Sequence, residues 1–289
     1  MKPPPFRYIA ATSVAHAVAE LGRHGGAARA LAGGQSLLPM LNMRVLYPPA
    51  LVDLNHIPGL ESIRRDGDTI KIGALTRYTA LEYSPVVQRH LPLVADAVRR
   101  VADRQVRNRG TLGGSLCHAD PAAQMPLCAV TLGAQIQVVG PRGQRLIAAE
   151  EFFVDAYTTA IDPLEVLVEV DYPDCGGRAC AFVQHVRRHG DFVTLSVAAT
   201  GVRLHDGRWT GLRIGLGGLA NRPILCAHIG EHLEGTRLDA TTIREAANLA
   251  TVGINPHTDV RGSAEYRTHL APIYVERVLS MLSERGERG

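Results

Sequence analysis

Of three adjacent glycine pairs in the first 120 residues, two sit in segments of the same form: "ALAGGQSLLPML", Ala30 to Leu41, and "TLGGSLCHADP", Thr111 to Pro121. Paired glycines cost conformational entropy and pack nothing, so keeping two such pairs requires either tight turns or close approach of backbone to something else. Both segments share one order: an apolar residue, Gly-Gly, a polar residue or serine, then the apolar run. Backbone of this kind can turn successive N–H groups into one concavity, a nest suited to a diphosphate, without needing a lysine. A helix opening near Leu37 would add its N-terminal dipole for the same anion, and Ser36 would add a hydroxyl.

Around these segments the chain reads as α+β. Ser13 can cap a helix through Ala15, Val18 and Leu21 that ends at Gly22 or Gly25-Gly26. "ARALA" then reads as a short buried strand, "LVDL" as another, and the alternation on both sides of Asp66-Gly67 as a hairpin. Helical spacing covers Thr76 to Glu82 and Leu91 to Ala102, and a second hairpin pattern surrounds Pro141-Arg142-Gly143. From about Gly176 the pattern becomes a three-stranded antiparallel meander followed by three helical stretches. In the last of these, Tyr266, Leu270, Ile273, Val278 and Leu282 form an apolar stripe fit to pack on that sheet. A boundary near "PDCGGRA" divides the chain into domains 1–176 and 177–289.

Several function classes are unsupported. With 31 basic against 28 acidic residues and no basic tract interleaved with aromatics, nucleic acid is not an expected partner. No segment approaches the run of about 18 apolar residues of a membrane span, the N-terminus lacks a signal-peptide core, and five scattered cysteines do not suggest a disulfide framework. A cytoplasmic location follows as the expectation. Neither glycine pair lies in a G-x-G-x-x-G frame; "GLGGLA", Gly215 to Ala220, does fit its G-x-G-x-x-A form, but no helix opens after it, so it reads as a strand end. Cys175 and Cys180 open an iron–sulfur spacing, yet Val183 stands where the third cysteine belongs. Cys117 and His118 diverge if they lie in a strand, which makes Cys117 a buried thiol rather than a zinc ligand.

"AGGQSLLPMLNMR", "GTLGGSLCHADPAAQMP", "DPLEVLVEVDYP", "RRHGDF" and "RGSAEYRTHLAP", in this order and over nearly the whole chain, resemble the FAD-binding medium subunit of molybdenum hydroxylases. That group includes carbon monoxide dehydrogenase, bacterial dehydrogenases of nitrogen heterocycles, and the flavin domain of xanthine dehydrogenase. The resemblance implies a two-subdomain α+β flavin module of the vanillyl-alcohol oxidase and p-cresol methylhydroxylase type, followed by a C-terminal domain of antiparallel sheet with helices. It implies that Leu31, Ala32, Gly33, Gly34, Gln35, Ser36, Leu37 and Leu38 wrap the FAD pyrophosphate. Thr111, Leu112, Gly113, Gly114 and Ser115 would close on the same cofactor, Leu167 would contact it, and Phe192 would cover one face of the isoalloxazine. Ser115 and Gln124 stand where relatives commonly have asparagine and a carboxylate, and an amide at Gln124 can donate as well as accept. Val183 falls near a flavin-contacting lysine of xanthine dehydrogenase, with Gln184 and His185 as neighbours; His185 by itself reads as a strand-surface residue.

The implied role is an electron-transfer subunit with no catalytic side chain and no metal ligand of its own. A large molybdenum-cofactor subunit and a small subunit with [2Fe–2S] clusters would be its partners, in a dimer of heterotrimers, and FAD would pass electrons to an external acceptor. The alternatives are a stand-alone flavin oxidase of the same fold and a non-catalytic nucleotide-binding module.

Overall fold

The computed structural model describes residues 2–287; Met1 and residues 288–289, the outer ends of the two expected domains, lie outside the described residues. The first layer is β1 (Arg7–Ala10), α1 (Val14–Arg23), β2 (Arg29–Leu31), α2 (Leu37–Asn42) and β3 (Ala50–Asp53). The three strands form a parallel sheet ordered β1-β3-β2. Ser13 starts α1 as expected, its hydroxyl accepting the His16 N–H at 3.1 Å. The buried strand expected at "ARALA" is instead an edge strand with exposed Arg29 and Ala30, because β3 pairs with it on one side only.

The second layer opens with the expected hairpin, β4 (Ile63–Asp66) and β5 (Thr69–Gly73), turning at Gly67. Six helices follow: α3 (Tyr78–Tyr83), α4 (Pro85–His90), α5 (Pro92–Val98), α6 (Arg104–Arg109), α7 (Leu112–His118) and α8 (Gln124–Leu132). After them come β6 (Gln135–Gly140), β7 (Gly143–Ala148), α9 (Ala149–Phe152), β8 (Phe153–Asp155), β9 (Thr158–Thr159) and β10 (Val166–Pro173). The long β10 is the centre of an antiparallel sheet ordered β4-β5-β10-β6-β7. Its alternation feeds two cores: Val166 and Val168 pack with Ala17 and Leu21 of α1, and Leu167, Val170 and Tyr172 with the helical layer. A register shift between Leu167 and Glu169 switches the phase.

The third layer is an antiparallel sheet, β11 (Ala179–His185), β12 (Leu195–Arg203), β13 (Trp209–Gly217) and β14 (Ile224–Leu225). The expected meander is thus present with a short fourth strand, and "GLGGLA" begins within β13. Helices α10 (Ala227–Leu233), α11 (Ala240–Asn248) and α12 (Ala264–Gly286) cover one face. Phe182 and Ala198 on the other face join the core of α5 and α8. Buried on both sides, β12 has seven consecutive buried residues, Leu195 to Gly201, instead of a period-2 alternation. Of the expected α12 stripe, Leu270, Val278 and Leu282 are buried and Ile273 is partly so, but Tyr266 faces outward.

Candidate functional site

The first glycine pair lies between edge strand β2 and α2, which begins at Leu37 as expected. Gly34 has φ +71°, a left-handed conformation that favours glycine. Among the described residues, none of the six backbone N–H groups from Ala32 to Leu37 finds an acceptor. Three carbonyls of the same stretch are occupied by these contacts: that of Ala32 accepts Asn55 Nδ2 at 2.9 Å, that of Gly33 accepts Gln35 Nε2 at 3.2 Å, and that of Gly34 accepts the Leu38 N–H at 3.1 Å. Donors are left over while most acceptors are spent, which makes this turn attractive to an anion. Ser36 precedes α2 but its hydroxyl makes no cap bond, so it too is available.

Close packing explains the other glycines. A Cβ on Gly33 would overlap the Arg109 carbonyl, one on Gly113 would lie 2.7 Å from Ala74 Cβ, and one on Gly114 would lie 2.7 Å from Thr111 Oγ1 and 3.7 Å from Ala32 Cβ. The two glycine segments are therefore neighbours in space. They are not matched nests, however. Thr111 caps α7, and its hydroxyl accepts the Gly114 N–H at 3.1 Å while its carbonyl accepts that of Ser115 at 3.1 Å. The N–H groups of Leu112 and Gly113 bond Thr76 and Ala74 carbonyls at 3.0 and 2.8 Å. With these N–H groups engaged, the second segment offers close approach and the Ser115 hydroxyl instead. Burial pushes the pKa of the Tyr78 phenol up to about 12, against a lowering effect of the neighbouring Ser115. Cys117 is exposed on helix α7, not buried in a strand.

A polar network that the sequence reading missed braces the first turn. At the end of β3, the Asp53 carboxylate accepts Tyr8 Oη at 2.6 Å and the Asn55 N–H at 2.9 Å. Burial works to raise its pKa, but these hydrogen bonds hold it below the usual carboxylate value. Asn55 in turn holds the Ala32 carbonyl, and Arg77 joins Asn55 Oδ1 to the Arg109 carbonyl beneath Gly33. Burial, together with the neighbouring Arg109 charge, lowers the Arg77 pKa. The one signal in the sequence was a carboxylate closing the strand "LVD", with the polar pair Asn55-His56 following after Leu54.

The remaining expected residues separate into two groups. Leu167 is buried in β10 opposite Val138, within the core of the helical layer. Gln124 opens α8 at 7% exposure, and its Nε2 donates to Gln184 Oε1 at 3.2 Å and to the Arg100 carbonyl at 3.4 Å. The β11–β12 loop then approaches the same place, since a Cβ on Gly190 would lie 3.7 Å from the Ala102 carbonyl oxygen. That loop carries Phe192, which is 61% exposed, with the Arg261 guanidinium 4.8 Å from its ring centroid. Val183 packs toward α12. His185 is more than a surface residue: its Nδ1 and Nε2 meet the hydroxyls of Tyr274 and Tyr266 at 2.8 and 3.0 Å. Burial lowers its pKa, and Arg277 lowers it further.

Among the described residues no three His, Cys, Asp or Glu side chains gather as a metal site, and no helix is long and apolar enough to cross a membrane. Residues 4–175 match the family model of the FAD binding domain in molybdopterin dehydrogenase, and residues 180–282 match that of the CO dehydrogenase flavoprotein C-terminal domain. The chain is 39% identical to the 6-hydroxypseudooxynicotine dehydrogenase complex subunit alpha of Paenarthrobacter nicotinovorans, covering 99% of this chain and 97% of that one. It is 38% identical to the carbon monoxide dehydrogenase medium chain of Hydrogenophaga pseudoflava, over 97% and 98% of the two chains. Among solved structures it superposes on quinoline 2-oxidoreductase from Pseudomonas putida 86 with TM-score 0.94 at 35% identity, covering 99% of each chain.

Proposed function

Because the chain belongs to the FAD-binding medium subunits of the molybdenum hydroxylases, we propose that it seats FAD with its diphosphate on the Ala32–Leu37 turn and carries electrons from partner subunits to an external acceptor. It is the flavoprotein component of an oxidoreductase whose relatives are subunits of multi-subunit enzymes. The observation that carries the seat is the run of unpaired N–H donors with Gly34 at positive φ. This run fits a diphosphate, because it supplies several donors and a positive backbone field without a charged side chain.

Bound FAD supplies the redox chemistry, accepting electrons from one-electron carriers and releasing them singly or in pairs. The chain's own residues position it. Asp53, Asn55 and Arg77 hold the carbonyl side of the first turn, so its donor side stays aimed outward. Thr111 to Ser115 lie alongside, since a Cβ on Gly114 would come within 3.7 Å of Ala32 Cβ, with Ser115 Oγ as the polar group. Gln124 stands with Gln184 at the far end, and Phe192 would limit access to the flavin face. Leu167 would act from the core beneath, as backing for the site.

We assign 1–176 to the flavin module and 177–289 to the C-terminal domain, a division supported by the limits of the two matched families. A large molybdenum-cofactor subunit and a small [2Fe–2S] subunit complete the proposed assembly, as a dimer of heterotrimers in the cytoplasm. The five cysteines, all free thiols, support a reducing compartment. The test is purification from the native host with a visible spectrum and subunit analysis. Flavin with iron–sulfur absorption and two further chains is expected. Flavin on a solitary active chain would favour the stand-alone oxidase, and a chain without flavin would refute the assignment.

A further inference from the structure

Beyond Phe192, two loops meet to form a second recess. Arg267 of α12 is fully buried and clamps them together: its guanidinium donates to the Thr194 and Gly218 carbonyls and pairs with the Asp259 carboxylate. Arg187 ties the same loops through the Val260 carbonyl. Between them opens a cavity of about 290 Å³ lined by Arg187, Asp191, Phe192, Thr194, Val260 and Arg261. That volume lies at the small end of ligand sites and suits one or two fused rings.

The charges around it do not balance. Asp191 spends one oxygen on the Phe192 N–H at 2.9 Å and turns the other to Arg188 at 3.4 Å. Asp259 is shared by Arg267 and by Arg261, the latter at 3.4 Å. In the lining itself the guanidinium groups of Arg187 and Arg261 stand against the single carboxylate of Asp191, which Arg188 already shares. The surplus is positive, and the exposed aromatic surface beside it is the Phe192 ring already stacked under Arg261.

We propose that this cavity docks the external electron acceptor and selects a planar anion, its ring against Phe192 and its sulfonate, carboxylate or phosphate against Arg187 and Arg261. The assignment rests on the reading that Phe192 lies over bound flavin. For an acceptor of the quinone class the exchange balances: FADH₂ gives up two electrons and two protons to become FAD, and the quinone takes both to become the hydroquinone.

The test uses the full chain with its flavin content measured by absorption, and begins with redox-inert probes. Calorimetry should find naphthalene-2-sulfonate bound about tenfold more tightly than neutral naphthalene-2-sulfonamide, the preference shrinking as salt is raised. Stopped-flow reoxidation of the photoreduced protein should show the same preference for 1,2-naphthoquinone-4-sulfonate over 1,2-naphthoquinone. Arg187→Gln and Arg261→Gln should each cut the anion-to-neutral ratio, in binding and in reoxidation, by about threefold to tenfold. A flavin-loaded protein that binds both probes equally, or keeps its preference when both arginines are replaced, overturns the acceptor cavity alone. A protein that prefers the sulfonate but holds no FAD overturns the flavin reading and the acceptor role with it. The probe pair on the unmodified protein decides the matter even where a variant does not fold.

Discussion

Replacing Gly34 in turn with asparagine, alanine and valine separates the two reasons for a glycine there. At φ +71° an ordinary L-residue carries a strain of about 1–2 kcal/mol, asparagine less, and a β-branched residue more. Space is the lesser obstacle: an added Cβ would meet Leu38 Cδ1 at 3.0 Å and Leu31 Cδ1 at 3.4 Å, both side-chain tips that can shift by tenths of an ångström. In the flavin-free chain the turn can relax and release the strain, whereas a diphosphate on its N–H groups reimposes the angle. The strain then reappears as lost affinity, roughly 5–30-fold for Gly34→Ala, less for Gly34→Asn and more for Gly34→Val. Fluorescence titration of the apoprotein with FAD measures this, and thermal unfolding of each apo variant shows whether the fold is kept. A Gly34→Val protein that binds FAD within about twofold of the parent, or Gly34→Asn as the weakest binder, would refute the diphosphate seat.

The bracing network makes a pH prediction. Asp53 has a folded pKa below its unfolded value near 3.9, so its stabilisation is present above about pH 4 and is lost as pH falls through the lower, folded value. Thermal melts should therefore drop more steeply below about pH 4 in the parent than in Asp53→Asn, which should already be weaker at neutral pH by about 1–3 kcal/mol; parallel pH curves would dismiss the idea. Arg267→Met leaves the Asp259 carboxylate and the Thr194 and Gly218 carbonyls without their shared donor. It should cost about 3–5 kcal/mol, read from a urea midpoint with unchanged slope, and a midpoint equal to the parent's would show that the clamp carries no stability. Phe192→Ala should keep its FAD while its rates with acceptors change, and identical rates with every acceptor would remove its shielding role.

Much of the fold was legible because local chemistry dictates it. Ser13 is a cap before an amphipathic stretch, and Gly67 and Gly143 take the positive φ their hairpins need. What failed were properties set by neighbours. The sequence of β2 is apolar enough for a core strand, yet its place at a sheet edge exposes it. Thr111 is a cap residue in plain view, but the likeness of its glycines to Gly33-Gly34 suggested a second nest, and the helix spends the donors that a nest would present. Tyr266 has the spacing of a core residue and is drawn out to His185. The brace ties Asn55 to Ala32 and to Arg77, 23 and 22 positions away, and no periodicity connects residues at such separations.

The sheet of β11 to β14 has no free face: α10 to α12 cover one side, and through Phe182 and Ala198 the other is pressed into the flavin module's own core. Cutting the chain near residue 177 would therefore not release two soluble halves, since each would carry away one side of a shared hydrophobic wall. The covalent boundary between the domains is not a mechanical one. Heat or urea should melt them in a single cooperative step, and loss of the C-terminal helices should be felt at the flavin seat.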